Sequence, residues 1–295
     1  MERALFVLGP TGVGKSGFAI KLAKLFDGEI ISADSVQVYK GLNIGSAKIT
    51  TDEMQGVAHH AIDILQPGQE FSVFEFVVLT KKLIAQINQK GKLPIVVGGT
   101  GLYVKALLEG YDFGGSGRNS QFREKLWAMD ENQLFAMLQK VAPERAAQIE
   151  VNDKKKLIRA LEIVEFGSQP KSHGTNINFL AFALTMPREG LYEKINARVD
   201  EMVEQGLIKE VADLKAQGLT EQNQSMKAIG YKEVLWFLDG KIQKQQMIDL
   251  IKQHTRNYAK RQMTFIRGMK IPFFDVSEEQ KIIEYVRDWY DNSTN

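Results

Sequence analysis

The chain has 295 residues, 44% hydrophobic and 25% charged, with a formal net charge of +2. That describes an ordinary globular protein with one large domain, or a core carrying a small insert, and the near-neutral balance does not by itself ask for a polyanionic partner. The absence of cysteine excludes disulfides and thiolate metal sites, and no run of about 18 apolar residues offers a membrane-spanning helix. The first apolar run begins at once, without a secretory leader, so a cytoplasmic enzyme or binding protein is expected.

Ala4 to Leu8 reads as a short buried strand. Gly9-Pro10-Thr11-Gly12-Val13-Gly14-Lys15-Ser16 follows and fits G-x-x-x-x-G-K-[S/T] at every fixed position. Phe18, Leu22 and Leu25/Phe26 then recur at helical spacing. Strand, glycine loop and helix in that order is the context in which this motif holds phosphate. Glycines let the backbone turn its N–H groups toward one anion, and the helix N-terminus adds its dipole. Lys15 supplies a charge and Ser16 a hydroxyl suited to Mg²⁺. Gly28 is placed to close the helix. Glu29 to Ser32 reads as a second strand, carrying Asp34-Ser35-Val36-Gln37 to its carboxyl end, where ligands of doubly wound sheets sit. Asp34 either faces the same crevice as Lys15 or caps a turn.

His59 and His60 lie on an extended chain and point to opposite faces, a poor chelating pair; with four histidines in all, no zinc site is expected. Ser72-x-x-Glu75 is a capping-box pattern opening a helix to about Gln89, with Phe76, Leu79, Leu83 and Ile87 as its buried face. Ile95 to Val97 reads as a strand. Gly98-Gly99-Thr100-Gly101 then repeats the opening design and puts Thr100 beside the phosphate loop, although such a turn alone is a weak signal. Alternating strands and helices imply a parallel sheet.

The composition changes at Tyr111. Phe113 to Gly117 is glycine-rich, 121–166 is helix-like throughout, and Gly167 to Asn178 is turn-rich. Residues 113–176 are therefore expected to form a small all-helical insert, with 1–112 and 177–295 as the core. Lys154-Lys155-Lys156 and Arg159 make a basic helix start, ordinarily a solvated face. Phe179 to Leu184 returns as a strand, and a helix from Leu191 to Gln205 carries Ile195, Val199, Met202 and Val203 inward. Arg198 in its middle and Arg188 at its approach either clamp a diphosphate in a cleft or are solvated. From Leu250 to Phe274 there is no Asp or Glu. Lys252, Arg256, Lys260 and Arg267 fall near one helical face, with Arg261, Lys270 and aromatics such as Tyr258 and Phe265 interleaved. That pattern fits a nucleic-acid backbone with unstacked bases, or a helix with a buried aromatic face and a solvated basic one.

In order along nearly the whole chain, the phosphate loop, Asp34-Ser35-x-Gln37-Val38-Tyr39, Gly45-Ser46-Ala47-Lys48, His59-His60-x-Ile62-Asp63, Pro94 to Tyr103, Arg159-Ala160-Leu161-Glu162, Ala228 to Glu233 and Ala259-Lys260-Arg261-Gln262-x-Thr264 resemble the tRNA dimethylallyltransferases. The resemblance implies a P-loop NTPase-like α/β fold, a parallel sheet with helices on both faces. It implies transfer of a five-carbon allylic group from dimethylallyl diphosphate to N6 of the adenosine just 3′ of the tRNA anticodon. Asp34 would orient N6 and take its proton, and Thr100 would touch the target nucleotide or the leaving oxygen. Gly9 to Ser16 with Arg198 would hold the diphosphate, Ser16 with Mg²⁺. Ser35, Val36 and Gln37 would line the base pocket. Arg123 on the insert and Lys252, Arg256 and Lys260 would grip the anticodon arm of tRNA; a monomer without membrane attachment is expected. The chain departs from the family pattern at Ile49 (proline), Glu150-Val151 (His-Pro) and Phe265 (tryptophan). A P-loop small-molecule kinase, an adenylate isopentenyltransferase and an RNA-binding NTPase switch are the competing readings; the first has no use for the basic stretch, the second for neither that stretch nor the insert, and the third would leave Asp34 and Thr100 dispensable.

Overall fold

The structure, a computed structural model, describes residues 2–112, 120–166, 171–172 and 174–293. Two compact units divide the chain, one of residues 1–107 with 176–295, the other Leu108–Thr175.

The larger unit is built on six strands, β1 (Arg3–Leu8), β2 (Gly28–Ser32), β3 (His59–His60), β4 (Leu93–Gly98), β7 (Asn178–Thr185) and β8 (Phe273–Asp275). A further pair, β5 (Tyr111–Asp112) and β6 (Lys171–Ser172), belongs to the smaller unit. The six-stranded order is β3-β2-β4-β1-β7-β8, with every pairing parallel. Every residue of β2 and β4, and all of β1 after Arg3, is buried. Such strands lack the alternation of a half-exposed sheet because helices cover both faces. Leu8 stands level with Gly98 of β4 and Ala183 of β7, so the turn after β1 emerges between the carboxyl ends of its neighbours. The chain leaves β1 and skips over β4 to reach β2, which makes this end a topological switch point.

Apolar side chains from both halves of the unit join one core cluster that includes Leu5, Val7, Leu22, Ile95, Phe182, Phe274 and Val286. The helix Lys15–Leu25 buries Ala19, Ile20, Leu22 and Ala23 in it. Gly28 does not close this helix. Asp27 takes the left-handed turn at φ 44°, and Gly28 is the first residue of β2, where a Cβ would come within 2.9 Å of the Leu93 carbonyl and the Ile95 side chain. The helix Val73–Gln89 opens on a reciprocal capping box: Ser72 N–H donates to Glu75 Oε2 at 2.7 Å and Glu75 N–H to Ser72 Oγ at 3.2 Å. Its buried stripe is Phe76, Val77, Thr80, Ile84 and Ile87, with Leu79 and Leu83 half-buried. The observed stripe keeps the helical period but is turned by about one position, so that Val77, Thr80 and Ile84 take the place of Leu79 and Leu83. No helix among the described residues is long and apolar enough to cross a membrane.

The smaller unit holds the helices Ser120–Trp127, Glu131–Val141, Pro143–Ala146 and Lys154–Phe166 around its own core of Leu126, Leu134, Leu138, Leu157, Ile158 and Leu161. It is not wholly helical. Tyr111 and Asp112 pair antiparallel with Ser172 and Lys171, a ribbon too short to leave a periodic signal. The glycine-rich joint at 113–117 and the start of the second at 167 lie outside the described residues. Arg123 Nε sits 3.4 Å from Oε1 of buried Glu162, whose other oxygen is 3.4 Å from Arg159 Nη1. Lys156 pairs with Asp153 at 2.7 Å, and the Lys154 ammonium lies 5.7 Å from the centre of the Trp127 ring.

Candidate active site

The turn after β1 is shaped by its glycines. Gly9 has φ 146°, and a Cβ there would lie 2.7 Å from the Leu184 carbonyl; only glycine lets the loop pass the end of β7 so closely. Gly14 at φ 98° opens the helix Lys15–Leu25. Among the described hydrogen bonds, the N–H groups of Gly12, Gly14, Lys15 and Ser16 have no protein acceptor. Amides freed in this way at a helix N-terminus bind anions. Lys15 Nζ donates to the Pro10 carbonyl at 2.7 Å. Although Lys15 as a whole is half-buried, desolvation of its ammonium is the largest influence on it and lowers its pKa from 10.5 to about 8, with Asp34 raising and Arg198 lowering it further.

Beside this loop lies a cavity of about 310 Å³ lined by Thr11, Gly12, Asp34, Ser35, Val36 and Arg198, among others. Asp34 follows β2, and its Oδ1 accepts from the N–H groups of Val36 at 2.8 Å and Gln37 at 3.3 Å. It therefore both caps a turn and lines the crevice, with Oδ2 outside that cap. Arg198 projects from the helix Arg188–Glu204 and donates to the Ala47 carbonyl at 3.5 Å. Burial lowers its pKa, opposed by the carboxylates of Glu53, Glu201 and Asp34. Ile195, Val199, Met202, Ile229 and Ile251 give the cavity an apolar wall. The arrangement offers anion donors and cations at one end, a carboxylate within their field, and room for an apolar group between.

Thr100 caps the helix Gly101–Leu108, its carbonyl accepting from Tyr103 N–H at 3.0 Å. It does not itself line the cavity but lies near Tyr258, which does; burial first, then Asp34's charge, raises the Tyr258 pKa, and Thr100 and Gln262 oppose the rise.

Other expected site residues stand elsewhere. Gln37 does not line the cavity; it braces the neighbouring loop, Nε2 donating to the Ser46 and Ala47 carbonyls at 3.4 Å each. The stretch from Leu250 to Phe274 lacks carboxylates in sequence but not in space. Lys252 pairs with Asp200 at 2.7 Å, Arg256 donates to Asn196 at 2.6 Å, and His254 lies 2.7 Å from buried Glu233. Lys260 is exposed, with no described side-chain partner. Ser16 is exposed at the helix start. No group of three or more His, Cys, Asp or Glu suited to a metal occurs among the described residues. The donor set thus fits Mg²⁺ in one mode, carried on substrate phosphates with water and a single protein hydroxyl, a usual arrangement for this ion.

Sequence reasoning passed over three contributors. Arg261 and Tyr258, marked in sequence only as members of the basic stretch with interleaved aromatics, line the cavity. Glu210, without any sequence signal, accepts from the N–H groups of Asn43, Ile44 and Gly45 at 3.0, 2.8 and 3.2 Å and from the Tyr231 hydroxyl at 2.7 Å. It holds the loop whose Gly45 to Ala47 form one side of the cavity. Burial, reinforced by Glu210, raises the Tyr231 pKa well above a free phenol's.

The lowered Lys15 pKa sets a pH dependence. A bound diphosphate favours the charged ammonium, so above pH 8 binding must take up the proton that free Lys15 has lost. At pH 8.5, calorimetry of a diphosphate ligand in buffers of different ionisation enthalpy should find an uptake of about three-quarters of a proton, and affinity should fall by up to about tenfold per pH unit above that point. A level affinity across this range would take Lys15 out of the anion site.

A family model described as "IPP transferase" matches residues 37–269. The tRNA dimethylallyltransferase of Carboxydothermus hydrogenoformans is 44% identical over 97% of this chain and 96% of its own length. Among solved structures, the full-length tRNA isopentenylpyrophosphate transferase of Bacillus halodurans superposes with a TM-score of 0.77 at 40% identity, covering 100% of this chain and 98% of that one. A eukaryotic dimethylallyltransferase solved acting on tRNA superposes with a TM-score of 0.85 at 29% identity, over 99% of this chain and 80% of that one. With the phosphate loop, the crevice and the sheet order all in place, the chain belongs to the IPP transferase family, that of the tRNA dimethylallyltransferases.

Proposed function

We infer that this chain moves the dimethylallyl group of dimethylallyl diphosphate onto N6 of the adenosine 3′-adjacent to the anticodon in tRNA, releasing diphosphate. The observation that carries this reading is one cavity joining the phosphate loop, Asp34 and an apolar wall. An allylic C–O bond breaks once the charge developing on the departing diphosphate is stabilised, and preorganised N–H groups, Lys15 and Arg198 serve that need. Mg²⁺, bound to the diphosphate with Ser16 as protein donor, would supply further neutralisation. Asp34 holds N6 and takes its proton as the C–N bond forms. Val36 and the apolar wall receive the flipped base and the prenyl chain, and Thr100 orients the acceptor. The deciding assay is transfer of labelled dimethylallyl diphosphate to purified tRNA, with AMP as competing acceptor; label in AMP instead of tRNA would move the chain to a free-nucleotide acceptor.

For the tRNA grip we assign Lys252, Arg256, Lys260 and, on the insert, Arg123. Charge count alone suggests that replacing the first three flattens the salt slope of tRNA binding by about two to three units. The ion pair of Lys252 with Asp200 and the bond of Arg256 to Asn196 reduce that expectation. The triple alanine variant should change the slope by about one unit, the share of a single free phosphate contact, and Lys260→Ala alone should reproduce most of it. Binding measured across a series of salt concentrations checks this; an unchanged slope returns the helix to a solvated face.

A further inference from the structure

One buried side chain ties together the turns that carry the site. Gln262, on the helix Lys244–Arg267, is 6% exposed, and both ends of its amide are engaged. Oε1 accepts from Thr11 N–H in the phosphate loop at 2.8 Å, and Nε2 donates to the Gly99 carbonyl at 2.9 Å. These partners lie 251 and 163 residues away in sequence. The fit leaves no slack: a Cβ on Gly99 would overlap Gln262 Nε2. The next residue, Thr100, donates its N–H to the Ala33 carbonyl at 3.4 Å, and Ala33 precedes Asp34. One turn earlier on the same helix, Tyr258 lies near enough to Thr100 and Gln262 for both to influence its phenol. The turns after β1, β4 and β2 are thereby linked in series.

We propose that Gln262 is a positioning residue that sets the spacing between the diphosphate cradle and the acceptor side of the site, Thr100 and Asp34. The proposal rests on the transferase reading above. Its chemistry follows from the amide. Thr11 N–H is committed to Gln262 and Val13 N–H to the Pro10 carbonyl, so the anion is left the N–H groups of Gly12, Gly14, Lys15 and Ser16. A short span of one side chain fixes the phosphate loop against the Thr100 turn, and small misplacements of reacting groups cost rate steeply. The role requires an acceptor and a donor at the two ends of one side chain. Gln262→Met fills the volume but supplies neither. Gln262→Glu keeps the acceptor for Thr11 and, once protonated, regains a donor for the Gly99 carbonyl.

The test is single-turnover and steady-state transfer to tRNA by wild type, Gln262→Met and Gln262→Glu, with the Thr11 amide followed by hydrogen exchange. In Gln262→Met the turnover should fall by about tenfold or more while both KM values stay within about threefold, the split expected when only transition-state geometry is lost. The ratio of Gln262→Glu to wild-type rates should rise several-fold as pH falls from about 8 to 6, a rescue that loss of general stability would not produce. Turnover within twofold of wild type in Gln262→Met, a loss carried mainly by KM, or a level Gln262→Glu ratio would each overturn the proposal. If wild type itself transfers nothing to tRNA, the functional reading fails. In that case protection of the Thr11 amide, and its loss in Gln262→Met, still reports whether the link exists.

Discussion

Asp34→Asn should lower single-turnover transfer by about a hundredfold or more, the scale of a lost general base, while tRNA affinity changes by less than about twofold. Asparagine is the informative replacement because Asp34 has two duties. Its Oδ1 accepts from Val36 and Gln37 N–H, and an amide oxygen can continue to do so. What asparagine cannot do is take a proton from N6. Asp34→Ala removes the cap as well, so it should be at least as slow and also less stable, by about 1 kcal/mol for the lost cap. Rapid-quench measurement with saturating donor separates the two: a near-native rate in Asp34→Asn would end the assignment of Asp34 as base, and an Ala-specific defect would leave it only the turn.

Lys15→Ala should reduce the same rate constant by about a hundred- to a thousandfold, the range for removing one preorganised partner of a developing anion. The donor should also bind more weakly, whereas the tRNA KM should stay near its wild-type value. The ammonium is held by the Pro10 carbonyl at the loop's own mouth, so its loss leaves the loop's backbone path to the glycines and does not unfold it. Thermal midpoints for variant and wild type verify that point. Chelation with EDTA should suppress transfer in both proteins, because no carboxylate cluster among the described residues is there to hold the cation against the chelator. Stoichiometric release of ADP with product would instead mean that the loop serves ATP, and the donor assignment would fall.

The local signals were all short in sequence range. Strand β1, the loop Gly9 to Ser16 and the helix after it follow from eight consecutive residues and their flanks, because the loop's backbone angles demand glycine wherever a side chain would clash. The capping box at Ser72 and Glu75 and the all-buried strands are legible for the same reason: each depends on neighbours within a turn or on an unbroken apolar run. Even Arg198's choice between cleft and solvent had a local half, its helix, and waited only on the packing of Ile195 and Val199.

Everything that joins distant segments was decided by the tertiary structure. The carboxylate-free stretch from Leu250 to Phe274 suggested unpaired charge, yet Asp200, Asn196 and Glu233 come from other helices to meet it; a charge run says nothing about what packs against it. The family resemblance puts Gln37 in the base pocket, whereas its amide Nε2 turns to the Ser46 and Ala47 carbonyls. The ribbon of Tyr111–Asp112 with Lys171–Ser172 is two residues a side, too short for a period to show. Glu210 left no mark, and Gln262 showed only as a motif position without a role, because a carboxylate or amide on a helix reads as surface until the loop whose amides it satisfies is brought to it. The sequence alone thus determined the phosphate loop, the strand ends and the chemistry they present. Only the fold determined which side chains hold those ends in register, since hydrogen bonds spanning 251 and 163 residues depend on packing that no local pattern encodes.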